Sequence, residues 1–371
     1  MKYTFGDTKG NIAWWAAAKL PIYREGLNTK LILDGSSGAD DISGYYEFEN
    51  NPQSENPPEG ILYSANGGPD TILGIPYPGY YAPMDRSKRL KQLLFSRDKW
   101  SLEDIKLVST DVTSLTQPLN AKIIMAVLAN EPILSSSNVH REAAQLLNNW
   151  SGSHLLRDTT PTIYYKLLSH IFEMAMIDEL GEKNYNTLVN THLVKNAYSN
   201  FLANNDSPWW DNLATKDKKE TRLDIFKEAY SKTIAELQAS SGDLTNWSWG
   251  GVHTLEHAHP MGKMEPFDKI FNVGPFPVKG GIETINNAGF ALNTSGKYSV
   301  SYGPAMRIII DMKNVDEGVS VLPTGQSGHL RSPHYDDQAI LFNVGMFRPM
   351  LMNKIVIEKT STTILTLKSI K

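Results

Sequence analysis

The chain has 371 residues, 41% of them hydrophobic and 20% charged, with a formal net charge of -4 at pH 7. That composition is globular, long enough for one large core or two, and it gives no basis for a nucleic-acid or anionic-membrane partner. Cysteine is absent, which excludes disulfides, thiolate zinc sites and a thiol nucleophile, and no apolar run approaches the roughly 20 residues that span a bilayer.

The first residues, MKYTFGDTKGN, contain no apolar h-region and so read without a signal peptide. Residues 2–5 alternate like a strand, 7–11 form a turn and 12–20 are apolar again, which predicts a hairpin. Residues 34–60 are rich in Gly, Ser, Asn, Pro and acidic residues and read as loops. ILYSANGGPD at 61–70 reads as a short strand running into a glycine-rich turn. YPGYYAP at 77–83 is an aromatic, proline-punctuated loop. Its Tyr77, Tyr80 and Tyr81 either line a cleft or pack under the loop.

A helix is expected from about residue 84. Asp85 suits its first turn through the macrodipole, Leu90, Leu93 and Leu94 form its apolar face, and Arg86 and Arg89 sit on its first turns. Ser101 and Asp104 make a capping-box variant that starts a second helix. Five further helices are expected at 119–130, 137–150, 160–180, 184–203 and 217–239. Within them Leu167, Ile171, Met174 and Ala175 recur at helical spacing and read as core. The lysine-rich run at 216–219 reads as a solvated face.

From 271 the pattern turns to strands and loops. Residues 305–312, with Ile308, Ile309 and Ile310, read as a buried strand, and 319–322 as a second apolar run after a turn at 316–318. A polar loop follows with Gln326, Ser327, His329, His334, Asp336 and Asp337. Residues 355–358 and 362–368 are β-branched runs that read as a terminal hairpin. The pattern divides the chain into 1–118, with sheet and first helices, a mainly helical 119–245, and a second sheet-forming part at 246–371.

Several residues carry candidate chemistry. Asn66 is either an amide donor for a developing oxyanion or a turn residue tolerant of positive φ. Arg86 either lines a site or is an exposed helix arginine. His253 and His257 are four apart, so a helix would present both to a metal, with Glu256 nearby. The order H-T-L-E-H is not H-E-x-x-H, and Pro260 argues against a helix continuing there. Gln326-Ser327-Gly328 lacks the G-x-S-x-G of a nucleophile elbow, so a Ser327 triad gives way to a loop that satisfies buried backbone.

Five ordered blocks carry a family resemblance. They are YTFGDTKGNIAWWAAAKLPIYREG at 3–26, ILYSANGGPD at 61–70, NWSWGGVHTLEHAHP at 246–260, VGPFPVKGG at 273–281, and the stretch from GPAMR at 303–307 through LPTGQSGH to SPHYDDQ at 332–338. Together they resemble the C-terminal part of the penicillin acylases, which are N-terminal-nucleophile hydrolases. The resemblance implies an α+β fold, a partial four-layer αββα sandwich with a large helical insertion. It implies cleavage of a small-molecule amide by an N-terminal Ser whose α-amino group is the base. It places Asn66 as the oxyanion donor and, through a D/Y-R-x-x-R-I type match at 85–90 (DRSKRL), Arg86 as active-site support, makes the 253–259 histidines structural, and suggests a periplasmic or extracellular setting. No segment here resembles the nucleophile region. The expectation is therefore a C-terminal portion, inactive alone, that acts with an N-terminal segment or α chain and is oligomeric or partner-dependent without it. A binding module derived from that fold and a metal-dependent hydrolase using His253 and His257 are the alternatives. No cofactor is expected. The family's structural calcium finds a backbone match at Pro21, but no Asp occurs at 71–84.

Overall fold

The computed structural model describes residues 2–68 and 71–369. The expected hairpin is present: β1 (Lys2–Gly6) pairs antiparallel with β2 (Ile12–Ala16), Gly6 opposite Ile12. Its turn is closed by Asp7, whose carboxylate accepts from the Lys9 and Asn11 backbone N–H groups and from the Asn11 side chain. β3 (Pro21–Ile22) and β4 (Gly44–Tyr45) pair with each other, and β5 (Gln53–Glu55) adds to β2. The strand expected at 61–64 has no ladder partner and is irregular.

Next come α1 (Asp85–Leu94) and α2 (Leu102–Ser109), and Ser101 and Asp104 form the reciprocal cap on α2. The helical region contains α3 (Gln117–Leu128), α4 (Asn138–Asn148), α5 (Thr160–Leu188), α6 (His192–Ala203) and α7 (Arg222–Ser241). The α5 stripe is the core: Leu167, Ile171 and Ala175 are fully buried. Gly181 leaves helical geometry at φ 68° and kinks α5 where a helix end was expected. No helix among the described residues is long and apolar enough to cross a membrane.

The main sheet follows. It is reached through α8 (Trp249–Val252) and built from β6 (His253–His257), then, after α9 (Asp268–Phe271), β7 (Val273–Pro277), β8 (Gly289–Phe290) and β9 (Tyr298–Tyr302). The order is β7-β6-β9-β8, with β6 and β9 parallel and the other pairs antiparallel. The sheet joins the helices through an aromatic cluster. Trp249 stacks on His253 with ring centroids 4.5 Å apart and meets Tyr165, Phe290 and Tyr298. Its indole N–H donates to the Gly280 carbonyl, so a fully buried Trp keeps its polar atom satisfied.

A smaller sheet holds β10 (Arg307–Ile309), β11 (Val319–Val321) and, after α10 (Ala339–Val344), β12 (Arg348–Pro349). Two expectations fail here. The 305–312 run is not buried: Ile308 and Ile310 are exposed, and of β10 only Arg307 is buried. The terminal hairpin is absent. α11 (Lys354–Thr360) replaces its first strand, and 362–369 has no regular structure. The Asn353 side chain caps α11 by accepting from the Ile355 and Val356 N–H groups. Local capping decides the outcome because, among the described residues, no neighbouring strand pairs with this segment.

Candidate active site

Asn66 sits at φ 60°, in the left-handed region that few residues other than Gly enter. Its carbonyl accepts from the Ala82 N–H at 3.2 Å. Gly68 is required by close approach to the Tyr81 ring, and Gly67 lies close to the Met84 side chain. A Cβ on Gly67 would lie 2.9 Å from Met84 Sδ, and one on Gly68 2.7 Å from Tyr81 Cδ2. These contacts press the turn against the start of α1, where Arg86 lies.

Arg86 bridges two partners. Its Nη2 donates to Asn66 Oδ1 at 3.1 Å, and its Nε donates to Glu283 Oε2 at 3.0 Å. Glu283 is buried on the loop between β7 and β8, at φ 59°. That loop is fixed from the helical side by the Gln117 amide, which donates to the Ile282 carbonyl at 2.8 Å. Two non-glycine residues in left-handed conformation therefore flank one guanidinium. Each such residue costs about 1–2 kcal/mol, and strain of this kind concentrates at functional sites. Asn66 Oδ1 is the acceptor for Arg86, and among the described residues its Nδ2 has no hydrogen-bond partner.

Tyr302 of β9 and Lys195 of α6 adjoin this pair, the ammonium donating to the phenol oxygen at 3.3 Å. Burial pushes the Tyr302 hydroxyl up to about 12, the Glu283 charge adds to that rise, and Arg86 opposes it. Burial lowers Lys195, and Glu283 counters the shift. Asp85, one residue before Arg86, is buried, accepts from the Ser114 hydroxyl and the Leu115 N–H, and is raised mainly by desolvation. It ties the start of α1 to the loop entering α3.

Asn66, Arg86 and Tyr81 thus come together. The Tyr81 ring lies over Gly68 and Gly79, and its carbonyl accepts from the Asn196 side chain of α6. The contacts of the other two tyrosines lie elsewhere. The Tyr77 ring packs near Tyr23 and Tyr46. The Tyr80 hydroxyl accepts from the Leu193 N–H at the start of α6. Glu283, Tyr302 and Lys195 were not singled out by sequence reasoning. Glu283 lies 197 positions from Arg86, and nothing local in GGIETIN signals that contact.

His253 and His257 lie on a strand, not a helix. His253 is fully buried, and its ring nitrogens face the Val278 and Ala288 carbonyls at 2.8 and 3.1 Å. Burial pulls it down to about 4. A ligand nitrogen needs a lone pair aimed at open space, so the metal reading of this pair fails. Among the described residues no group of three or more His, Asp or Glu is placed to hold a metal ion. Ser327 Oγ accepts from the His329 N–H, the Ser327 N–H donates to the His334 carbonyl, and Gln338 Oε1 accepts from the Leu322 N–H. This loop largely satisfies itself.

Comparison with known proteins matches the chain along most of its length. The family described as penicillin amidase matches residues 1–359. An acyl-homoserine lactone acylase QuiP of Pseudomonas aeruginosa is 25% identical over 369 residues, covering 91% of this chain and 42% of its own length. The penicillin acylase 2 proenzyme of a Pseudomonas species is 24% identical over 357 residues, covering 93% of this chain and 43% of its own. A thermostable penicillin G acylase from Alcaligenes faecalis superimposes with a TM-score of 0.64 at 18% identity, over 100% of this chain and 68% of that one. The chain thus spans less than half the length of these curated relatives, and its α and β elements share the fold of the penicillin G acylase.

Proposed function

The chain belongs to the penicillin amidase family, and from that premise we propose that it supplies the oxyanion-stabilising side of an amide hydrolase. The substrate is a small acyl amide, of the kind an N-acyl homoserine lactone or a penicillin represents. We place the attacking Ser outside these 371 residues, because no segment here resembles the family's nucleophile region. Its hydroxyl adds to the carbonyl carbon, and its α-amino group takes the proton. Negative charge develops on the carbonyl oxygen, where Asn66 Nδ2–H donates. The intermediate collapses, the C–N bond breaks, and the amine leaves with the proton. Water then repeats the addition on the acyl ester and frees the acid.

One observation carries this reading. Arg86 accepts no hydrogen bonds, so its contact with Asn66 Oδ1 fixes the amide with its donor side outward. Pre-orientation of that kind is what an oxyanion donor needs. Arg86 and Glu283 are positioning residues here, and Tyr81 closes one side, with Tyr77 and Tyr80 supporting the loop that carries it. The four-layer αββα sandwich is the arrangement we infer for the assembled enzyme, with the sheets of this chain as parts of it. The large exposed surface of this chain supports that assembly. The test coproduces the chain with the nucleophile-bearing segment of its own locus and follows amine release from N-acyl homoserine lactones and phenylacetyl amides. Asn66→Ala should lower kcat about 10²–10³-fold with KM little changed. No amine release from the assembled protein sinks the amidase reading. Hydrolysis by the 371 residues alone sinks the outside nucleophile.

A further inference from the structure

A cavity of about 520 Å³ opens between β6 and β9 on one side and β10 and α10 on the other. Its walls include Leu255, Val278, Ala288, Val300 and Phe342, and its size falls among ligand sites of roughly 300–1,000 Å³. Two cations line it, Lys279 and Arg307. Three other buried or half-buried cations meet acids, Arg86 with Glu283 at 3.0 Å, Arg89 with Asp111 at 2.6 Å and Lys166 with Glu236 at 2.6 Å, whereas Lys195 donates to the Tyr302 hydroxyl. Among the described residues neither Lys279 nor Arg307 has a carboxylate partner.

Arg307 is 8% exposed. Its guanidinium stacks 3.9 Å from the Phe342 ring centroid, Nη1 donates to the Phe342 carbonyl, and Nη2 donates to Asn286 Oδ1. Its Nε is buried without a partner among the described residues. Lys279 has one long contact, 3.5 Å to the Val344 carbonyl. Glu256 is the acid of the lining, and it is exposed and accepts from the Asn272 side chain. Desolvation lowers both cations, and the Arg307 charge adds to the fall at Lys279.

Two desolvated positive charges with no carboxylate paired to either, beside aliphatic walls, form an incomplete ion cluster. A planar guanidinium fork matches a carboxylate better than any other small anion. We propose that this cavity binds a small carboxylate with an apolar body, its anionic end between Arg307 and Lys279 and its body against Val278, Ala288 and Val300. Asn66, Arg86 and Glu283 are not in the lining, although Tyr302, which adjoins them, is, and the inference does not depend on amide hydrolysis. Phosphate fits less well, because its larger charge would face aliphatic walls.

Calorimetric titration at pH 7 with hexanoate, hexylamine, hexanamide and inorganic phosphate tests this. Hexanoate should saturate a single site, and the amine and amide should not. Lys279→Met, at a half-buried position whose loss leaves the core intact, should weaken hexanoate at least about tenfold with an unchanged circular dichroism spectrum. Asn66→Ala should leave hexanoate binding intact. No saturation by hexanoate overturns the proposal, as do equal binding of hexylamine, tighter binding of phosphate, or unchanged affinity in Lys279→Met. Loss of binding in Asn66→Ala but not in Lys279→Met would move the carboxylate to the other site and overturn it equally.

Discussion

Arg86 holds Asn66 with one nitrogen and Glu283 with another, and its removal strands a buried acid. The Arg86 side chain is 16% exposed and that of Glu283 is 5% exposed, so water screens the pair weakly. Arg86→Met should destabilise the fold by about 3 kcal/mol in urea unfolding, because the uncompensated carboxylate stays buried. The double variant Arg86→Met/Glu283→Gln should cost less than Arg86→Met alone. Additive losses would mean the two side chains do not act as a pair. At this scale the sequence exposed Asn66 and Arg86, since each sits in a local signal: a turn before a glycine pair and the first turn of a helix. Glu283 stayed hidden because only the folded chain carries its loop back to α1.

Elements with local stop and start signals were the legible ones. α2 begins where Ser101 and Asp104 cap each other, and β1 and β2 meet across the Asp7 turn. Gly152 shows the opposite case. It sits at φ 89°, and a Cβ there would fall 1.9 Å from the Ser114 carbonyl oxygen. That carbonyl belongs to the segment that Asp85 anchors, so the two loops entering α3 and α5 pack through this one glycine. Gly152→Ala should destabilise by roughly 3 kcal/mol or more, from strain and backbone displacement together. A shift in the thermal midpoint within error of zero would refute this packing. The expected C-terminal hairpin failed for a related reason: β-branched runs become strands when a partner strand is beside them, and otherwise a side-chain cap such as Asn353 prevails.

The whole molecule exposes 22063 Å², against about 15,000 Å² expected for a compact monomer of this mass. The excess includes large apolar side chains on the edge strand β1, Tyr3 at 60% and Phe5 at 46%, and such edges recruit further strands. Sedimentation should show concentration-dependent association of the isolated chain, relieved by the nucleophile-bearing segment proposed above. A monodisperse, cooperatively unfolding monomer would argue against it. The core itself should be acid-sensitive. Burial holds His154 near 3 and His253 near 4, both below the usual 6.5. The unfolded chain therefore binds protons that the folded chain refuses as pH falls below 6.5. The stabilisation is whole above that value and is lost toward the folded pKa values. Unfolding free energy should drop by roughly 2–4 kcal/mol between pH 7 and pH 5. A flat profile in denaturant titrations across that window would show that these imidazoles are not kept neutral by the fold.

Hydrophobic periodicity, capping and turn chemistry act over a few residues, so the sequence alone determined the first hairpin, the helical region and the turn that carries Asn66. The order of its motif blocks also determined the family. Tertiary structure alone decided which polar groups meet: Arg86 with Glu283, Lys195 with Tyr302, His253 with two carbonyls, and Arg307 with no acid among the described residues. It also decided that the triple-isoleucine run lies at the surface. Burial and ion pairing depend on what lies across the chain in space, and local pattern carries no record of that.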